Sequence, residues 1–114
     1  MTQHAALTEE RWAGFDLDQQ ILMIANEMNR TARILADPDS GYRRRGYERI
    51  LRLTDLTTAG NHRRTLRREL IRWRDLIAVL YVAPLPDPGA HRSAFRMLLQ
   101  LRPAAARQIP LLLS

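Results

Sequence analysis

The residues with the clearest chemical potential are the arginines in the middle of the chain. The stretch YRRRGYERILRLTDLTTAGNHRRTLRRELIRWRD, residues 42–75, holds them in runs of three, two and two. A guanidinium group donates hydrogen bonds in a planar fork that binds pairs of phosphate or carboxylate oxygens. The stretch therefore predicts anion binding. The side chains expected to contact phosphates are Arg43, Arg44, Arg45, Arg63, Arg64, Arg67 and Arg68.

The positive charge is concentrated in the same region. Residues 1–42 hold three arginines and seven acids, residues 43–74 hold eleven and three, and residues 75–114 hold four and two. The three net charges are therefore −4, +8 and +2, which make up the overall +6. Local pairs at helical spacing, such as Glu48 with Arg52, neutralise only part of the surplus. Two interpretations stay open. The region is either a surface that binds a polyanion or an acidic protein, or a basic face that is only solvated.

All 18 basic residues are arginine, and the sequence has no lysine. A GC-rich coding genome is one explanation for this usage. Selection for the bidentate geometry of guanidinium is the other. Both explanations are compatible with the sequence.

Metal and cofactor sites are not indicated. The chain has no cysteine, and His4, His62 and His91 stand apart, without the spacing or paired carboxylates of a metal site. We interpret His62 as a polar residue of a first helical turn and His91 as a flexible residue beside Gly89. No phosphate-binding loop, dinucleotide fingerprint or nucleophile elbow occurs. We therefore expect no metal, no cofactor and no small-molecule substrate.

Two carboxylates, Glu27 and Glu69, are the best candidates for acid–base catalysis. Each is better explained as a polar contact that fixes the register between helices. The arginine–histidine motif of the small α-helical HEPN nucleases does not occur. We therefore expect no catalytic residue and no enzymatic activity.

Hydrophobic spacing predicts the elements that position the arginines. The predicted helices run from about Asp18 to Ala36, Tyr42 to Thr58, His62 to Val82, and His91 to Arg102. Asp16 and Gln19 suit a capping box before the first helix. Gly46 interrupts the second helix and is interpreted as a close helix crossing. Gly60 and Asn61 suit the turn into the third helix.

The fold class that follows is all-α, a small antiparallel bundle of three long helices plus a C-terminal helix. We expect a single domain over residues 1–114. Its predicted parts are an N-terminal segment anchored by Trp12 and Phe15 (1–15), three core helices (16–82), a proline-rich linker (83–90), and a C-terminal helix with an apolar tail (91–114).

Some apolar residues exceed what the core needs. Ile71 and Val79 fall away from the inward stripe of the third helix, and Leu111, Leu112 and Leu113 form an apolar tip. Exposed apolar surface of this kind is typical of protein interfaces. We therefore expect these five residues to contact a partner, and the protein to be a homo-oligomer.

The N-terminus, MTQHAALTEERWAGF, lacks the basic start and apolar core of a signal peptide. The sequence also lacks a run of about 18 apolar residues, the length of a transmembrane helix. These features predict a cytoplasmic protein with no membrane partner.

Two functions remain in competition. The first is a non-catalytic accessory protein that binds the RNA or DNA backbone through an arginine band on the second and third helices, with Tyr42 or Tyr47 stacking on a base. The second is an adaptor or antitoxin-like module that docks an acidic or apolar partner. The size, basic charge and helical layout resemble the accessory subunits of diversity-generating reverse transcriptases. The segments LDQQILMIANEMNRTARIL and YERILRLTDLT together resemble small bacterial helical proteins. Neither resemblance assigns a role to a residue.

Overall fold

The computed structural model describes residues 8–61 and 63–113. These two stretches form seven helices: α1 (Glu9–Ala13), α2 (Leu17–Ile34), α3 (Ser40–Gly60), α4 (Arg64–Val82), α5 (Pro88–Leu99), α6 (Pro103–Ala106) and α7 (Ile109–Leu113). They contain no strand. The all-α prediction is confirmed.

Four of the helices, α2 to α5, form the bundle, in which each packs against the next and α5 returns to α2. Contacts between α2 and α3 show that they run antiparallel, because Glu27 meets Arg49 and Thr31 lies against Gly46 one turn later. The core is formed by apolar side chains from all four helices: Ile21, Ile24, Met28, Tyr47, Ile50, Leu53, Leu70, Trp73, Ile77, Phe95, Leu98 and Leu99. The predicted antiparallel bundle is therefore confirmed.

Short helix α1 closes one end of the bundle through Trp12. This side chain is buried, and its indole Nε1–H donates to Thr57 Oγ1 of α3 at 2.9 Å. The rings of Trp12 and Phe15 contact edge to face, with centroids 5.9 Å apart. The Gln20 amide Nε2 donates to both of their main-chain carbonyls at 3.0 Å. Trp12 and Phe15 thus anchor residues 8–15, the described part of the N-terminal segment, as predicted.

Capping residues set the helix starts. The Asp16–Gln19 capping box is present, with hydrogen bonds of 2.8 and 2.9 Å. Helix α5 begins at Pro88, three residues before the predicted start, since proline suits a first helical turn and Asp87 accepts from Ala90 N–H. The linker therefore spans residues 83–87 rather than 83–90.

Buried Glu27 joins α2 to α3. Its side chain is only 3% exposed, and its two oxygens bind Arg30 Nη1 at 3.2 Å and Arg49 Nε at 3.1 Å. A carboxylate buried in this way is stable only with such partners. Glu27 therefore fixes the register of two helices, whereas Glu69, the other candidate base, is exposed.

His91 lies in the core, which corrects its interpretation as a flexible residue beside Gly89. The Tyr47 hydroxyl lies 2.9 Å from His91 Nδ1, and His91 Nε2 lies 2.8 Å from Met28 O. A carbonyl only accepts, so Nε2 carries the proton and Nδ1 accepts from Tyr47. Burial lowers the pKa of His91 and raises the pKa of Tyr47 to about 12. The neutral imidazole therefore links α2, α3 and α5.

We expect the free energy of unfolding to fall as the pH drops below about 6.5, the ordinary pKa of histidine. Below that value the unfolded chain binds a proton that the folded His91 resists, so acid favours unfolding. The measurement is chemical denaturation between pH 7.5 and 5.

The matched variant for this prediction is His91→Gln, which retains His4 and His62 and so leaves their titration unchanged. It should be less stable than the wild type at pH 7.5 and should lose less stability on acidification. Parallel pH profiles for the two proteins would contradict the assignment.

Candidate anion-binding surface

Six of the seven arginines predicted to bind phosphate are exposed in the structure. They fall into two groups: the α3 cluster of Arg44 and Arg45, and the α4 cluster of Arg63, Arg64, Arg67 and Arg68. Arg72, one turn beyond the α4 cluster, is also exposed and was missed. Its spacing of four residues from Arg68 was the signal that could have identified it.

Arg43 does not belong to this surface, which corrects the prediction. Its side chain is only 5% exposed, and Nη2 donates to Ala83 O at 3.3 Å and Pro84 O at 3.4 Å. A cation at these carbonyls complements the negative end of the α4 dipole. Arg43 therefore holds the linker after α4. Its helical spacing to the core residues Tyr47 and Ile50 was the available signal.

The two clusters lie at opposite ends of the α3–α4 pair. Arg74 of α4 binds Asp55 of α3, with Nη2 3.2 Å from Oδ2, and the Tyr81 hydroxyl donates to Glu48 at 2.9 Å. These contacts make α3 and α4 antiparallel and use both carboxylates of α3, Glu48 and Asp55. Because α3 rises 1.5 Å per residue, the clusters are separated by about 22 Å. The predicted arginine band is thus two clusters.

Within the α3 cluster, Arg45 lies over the ring of Tyr42, with its guanidinium carbon 4.9 Å from the ring centroid. This cation–π contact covers one face of Tyr42. Tyr47 is 1% exposed and bonded to His91, which rules out the prediction that it stacks on a base. Of the two tyrosines, only Tyr42 keeps a ring face at the surface.

Three members of the α4 cluster line a shallow groove of about 350 Å³. Arg64, Arg67 and Arg68 line it, together with Asn61 and Ile71. The groove offers three guanidinium groups within two helical turns. This arrangement suits several phosphate oxygens better than one small anion.

Arg63 lies on the other side of the α4 start, towards α2. The pKa of Asp18 is lowered chiefly by its hydrogen bond with Arg102, whose Nε lies 2.8 Å from Oδ1, and Arg63 adds a weaker effect of the same sign. Arg63 therefore acts on an acidic side chain of α2. The groove lined by Arg64, Arg67 and Arg68 has no acidic residue in its described lining.

The start of α4 carries positive charge that the fold does not need. Among the described residues, no side chain accepts a hydrogen bond from the N–H groups of its first turn, which has no acidic residue. Asn61 Oδ1 accepts from the N–H of Arg63, the residue just before the helix, at 2.8 Å. Arginines there oppose the helix dipole, and the pairs 63/67 and 64/68 repel at i, i+4 spacing. In residues 8–61 and 63–113, no ion pair involves Arg64, Arg67, Arg68 or Arg72. The arrangement favours an external anion.

The predicted interface residues divide in two. Ile71, Val79 and Leu111 are exposed, at 46%, 64% and 77%. Leu112 is half-buried and Leu113 is buried. Helix α7 packs on α5, and the Leu113 carbonyl accepts from Arg92, so the last two leucines are largely used by the fold. The prediction of a fully exposed apolar tip is therefore wrong for Leu112 and Leu113.

A second concave region, of about 580 Å³, lies between α1, the start of α2 and the end of α3. Glu9, Glu10 and Arg63 are its charged lining residues in the part of the chain that the structure describes, and all three are exposed. The apolar part of its lining includes Phe15 and Leu56. Among the described residues that line it, none is a buried carboxylate or an imidazole.

Metal ligands, membrane-spanning helices and similarity to known proteins were also considered. In the described residues, no three histidine or carboxylate side chains come together as metal ligands. No helix within those residues is both long and apolar enough to cross a bilayer. No known protein family matches the chain, and comparisons with curated proteins and with solved structures found no match.

Proposed function

We propose that the protein is a non-catalytic cytoplasmic accessory protein that binds the phosphate backbone of RNA or DNA, chiefly through the α4 cluster. The main support is the uncompensated positive charge at the start of α4. Arg64, Arg67 and Arg68 surround one groove, with no ion pair to any described residue. The arrangement costs folding energy through repulsion and the helix dipole, which an anionic ligand would offset.

The proposed contacts are with the backbone rather than with base edges. Arginines on an exposed helix start reach phosphates readily, and backbone N–H groups at that start add donors for the same oxygens. Stacking of bases requires open aromatic faces. Tyr47 is buried and Tyr42 has one face covered by Arg45. Binding without sequence preference follows.

The two clusters suit an extended ligand. A duplex advances 3.4 Å per base pair, so about seven pairs would span the roughly 22 Å between the clusters. Between them, Arg74 is paired with Asp55, and Glu48 accepts from Tyr81. Contacts are therefore expected at both ends of the α3–α4 pair, with the stronger ones at α4.

The proposal predicts a steep dependence of affinity on salt. If the six exposed arginines each contact a phosphate, log K should fall against log salt concentration with a slope of about −5 for a duplex and about −4 for a single strand. Fluorescence anisotropy with 20-pair and 20-nucleotide probes between 50 and 300 mM salt measures both slopes. No binding at 50 mM salt, or binding that salt leaves unchanged, would overturn the proposal.

A second candidate is an adaptor that docks an acidic or apolar protein surface, favoured by the exposure of Ile71 and Val79. Electrostatic docking of an acidic protein would also weaken with salt. Nuclease treatment distinguishes nucleic-acid binding from docking of a protein. Material recovered with the protein from a native lysate should disappear after nuclease if the ligand is nucleic acid, and should persist if it is a protein.

A further inference from the structure

A seam between α3 and α4 connects the two arginine clusters. Two contacts between the helices mark it, from Arg74 to Asp55 and from Tyr81 to Glu48, and both carboxylates are exposed. Arg67, Arg74 and Tyr81 follow one another at intervals of seven residues, or about two helical turns, and so fall on one stripe of α4. Arg67 of the α4 cluster therefore lies at one end of this α3–α4 seam.

Arg44 of the α3 cluster lies at the opposite end of the seam. It precedes Glu48 by one helical turn, and Arg45 precedes Glu48 by three residues. The hydrogen bond to Glu48 is the chief cause that raises the pKa of Tyr81, and the charge of nearby Arg44 opposes this rise. Members of the two clusters therefore face the same side of the α3–α4 pair, about 22 Å apart along its length.

The stretch between the clusters carries no net charge. Residues 46–60 of α3 hold two arginines and two acids, and residues 69–82 of α4 also hold two arginines and two acids, so each segment sums to zero. Glu48 and Asp55 place exposed carboxylates on the seam itself. A phosphate over the middle of the seam would meet these carboxylates, so the favourable places for phosphates are its two ends.

The described part of the chain offers little surface on which unpaired bases could stack. Among its large exposed apolar side chains the only aromatic one is Tyr42, and Arg45 covers one face of that ring. The rings of Trp12, Trp73 and Phe95 are buried. Proteins that bind single strands combine aromatic platforms with a cationic groove that follows the strand. The seam, which two carboxylates interrupt, is not such a groove.

We propose that the ligand of this surface is a nucleic-acid duplex that lies across the α3–α4 seam with one phosphate row at each cluster, an inference that rests on the proposed function. A duplex presents two phosphate rows with a groove between them, and the major groove of B-DNA is about 12 Å wide. Arginine side chains from clusters about 22 Å apart can extend inwards to both rows. The groove, which has no phosphates along its floor, then lies over Glu48 and Asp55.

The width and stiffness of the two partners agree with this placement. Each helix is about 10–12 Å across with its side chains, so α3 and α4 together are too wide to enter the major groove and stay at the backbone. In A-form RNA the minor groove is the wide one, and the same placement applies there. The persistence length of DNA is about 150 base pairs. A short duplex therefore holds both phosphate rows in place without the ordering cost that a flexible strand pays on binding.

The first test is fluorescence anisotropy at 100 mM salt with probes matched in the number of phosphates. The probes are a 20-pair DNA duplex, a 20-pair RNA duplex and a 40-nucleotide strand of thymidines, which does not pair with itself. At least one duplex should bind about fivefold tighter than the strand or more, and the tighter duplex distinguishes DNA from RNA. A smaller preference, or a preference for the strand, would overturn this inference and leave backbone binding intact. No binding of any probe at 50 mM salt would overturn the proposed function as well.

Replacing Arg44 and Arg45 together with glutamine tests whether the duplex reaches both clusters. The variant should bind the preferred duplex about five- to tenfold more weakly and the strand less than about twofold more weakly, because the strand is held mainly at α4. The matched control replaces Arg33 and Arg96, two exposed arginines outside both clusters, in the same way. Equal losses in the two double variants, or equal losses for duplex and strand, would overturn the proposed placement across the seam.

Discussion

Replacing Arg64, Arg67 and Arg68 together with glutamine is expected to weaken binding of nucleic acid by about 10- to 100-fold at low salt. Each replacement removes one guanidinium that lines the groove and has no ion pair in the described parts of the chain. Because the variant would release fewer counterions from the phosphates, the slope of log K against log salt should become shallower by about 2 to 3. Anisotropy titrations at several salt concentrations measure both changes.

The fold should tolerate this triple replacement. All three side chains are exposed, and their removal relieves repulsion at i, i+4 spacing. Thermal unfolding should therefore show an unchanged or slightly higher midpoint. A large loss of stability would mean that these arginines serve the fold instead.

A matched control separates position from net charge. Arg33, Arg96 and Arg107 lie outside both clusters, and replacing these three with glutamine lowers the net charge from +6 to +3 in the same way. We expect this control to weaken binding by less than about threefold, since distant surface charges are largely screened. Equal losses of affinity in the two triple variants would contradict a localised site.

Gly46→Ala is expected to lower the free energy of unfolding by about 1–3 kcal/mol, although alanine favours helix by about 1 kcal/mol over glycine. A Cβ at this position would lie 2.4 Å from Thr31 Oγ1 and 3.1 Å from its Cγ2. Thr31 is fully buried, so the helices α2 and α3 would have to separate. Equilibrium denaturation in urea measures the change.

Two further variants make this prediction specific. Thr31→Ala removes the clashing atoms, and Thr31 Oγ1 has no hydrogen-bond partner among the described residues, so its loss breaks no bond seen there. The double variant should recover most of the lost stability. Gly60→Ala is the matched control, because its added Cβ would meet nothing within 4 Å. If Gly46→Ala were as well tolerated as Gly60→Ala, the close crossing would be refuted.

Local sequence signals predicted most of the fold. Helical spacing located the four long helices, and the capping pair Asp16 and Gln19 set the start of α2. Gly46 marked the crossing because glycine destabilises a helix interior relative to alanine. Glycine is therefore expected there mainly where a larger side chain would not fit between two helices. The position of His91 in the core was not predictable from local signals. Its contacts are Tyr47 and Met28, which are separated from it by 44 and 63 positions in the sequence.

The candidate site was predictable in composition but not in layout. Counting charges revealed the surplus of arginine, yet spacing alone could not show which arginines are used by the fold. Arg49 binds Glu27 and Arg74 binds Asp55, at separations of 22 and 19 residues. Such pairs form only once the helices pack. They divide the predicted band into two clusters and leave the start of α4 as its strongest part.

Mapping the bound polyanion on the protein tests the central claim most directly. Titration of the ¹⁵N-labelled protein with a 20-nucleotide strand should shift the Nε–H signals of Arg64, Arg67 and Arg68 and the backbone amides of residues 63–72 most strongly. Smaller shifts are expected at residues 42–45. Shifts centred on α2, α6 or α7, or no shifts at 50 mM salt, would contradict the assignment of the α4 cluster as the phosphate-binding surface.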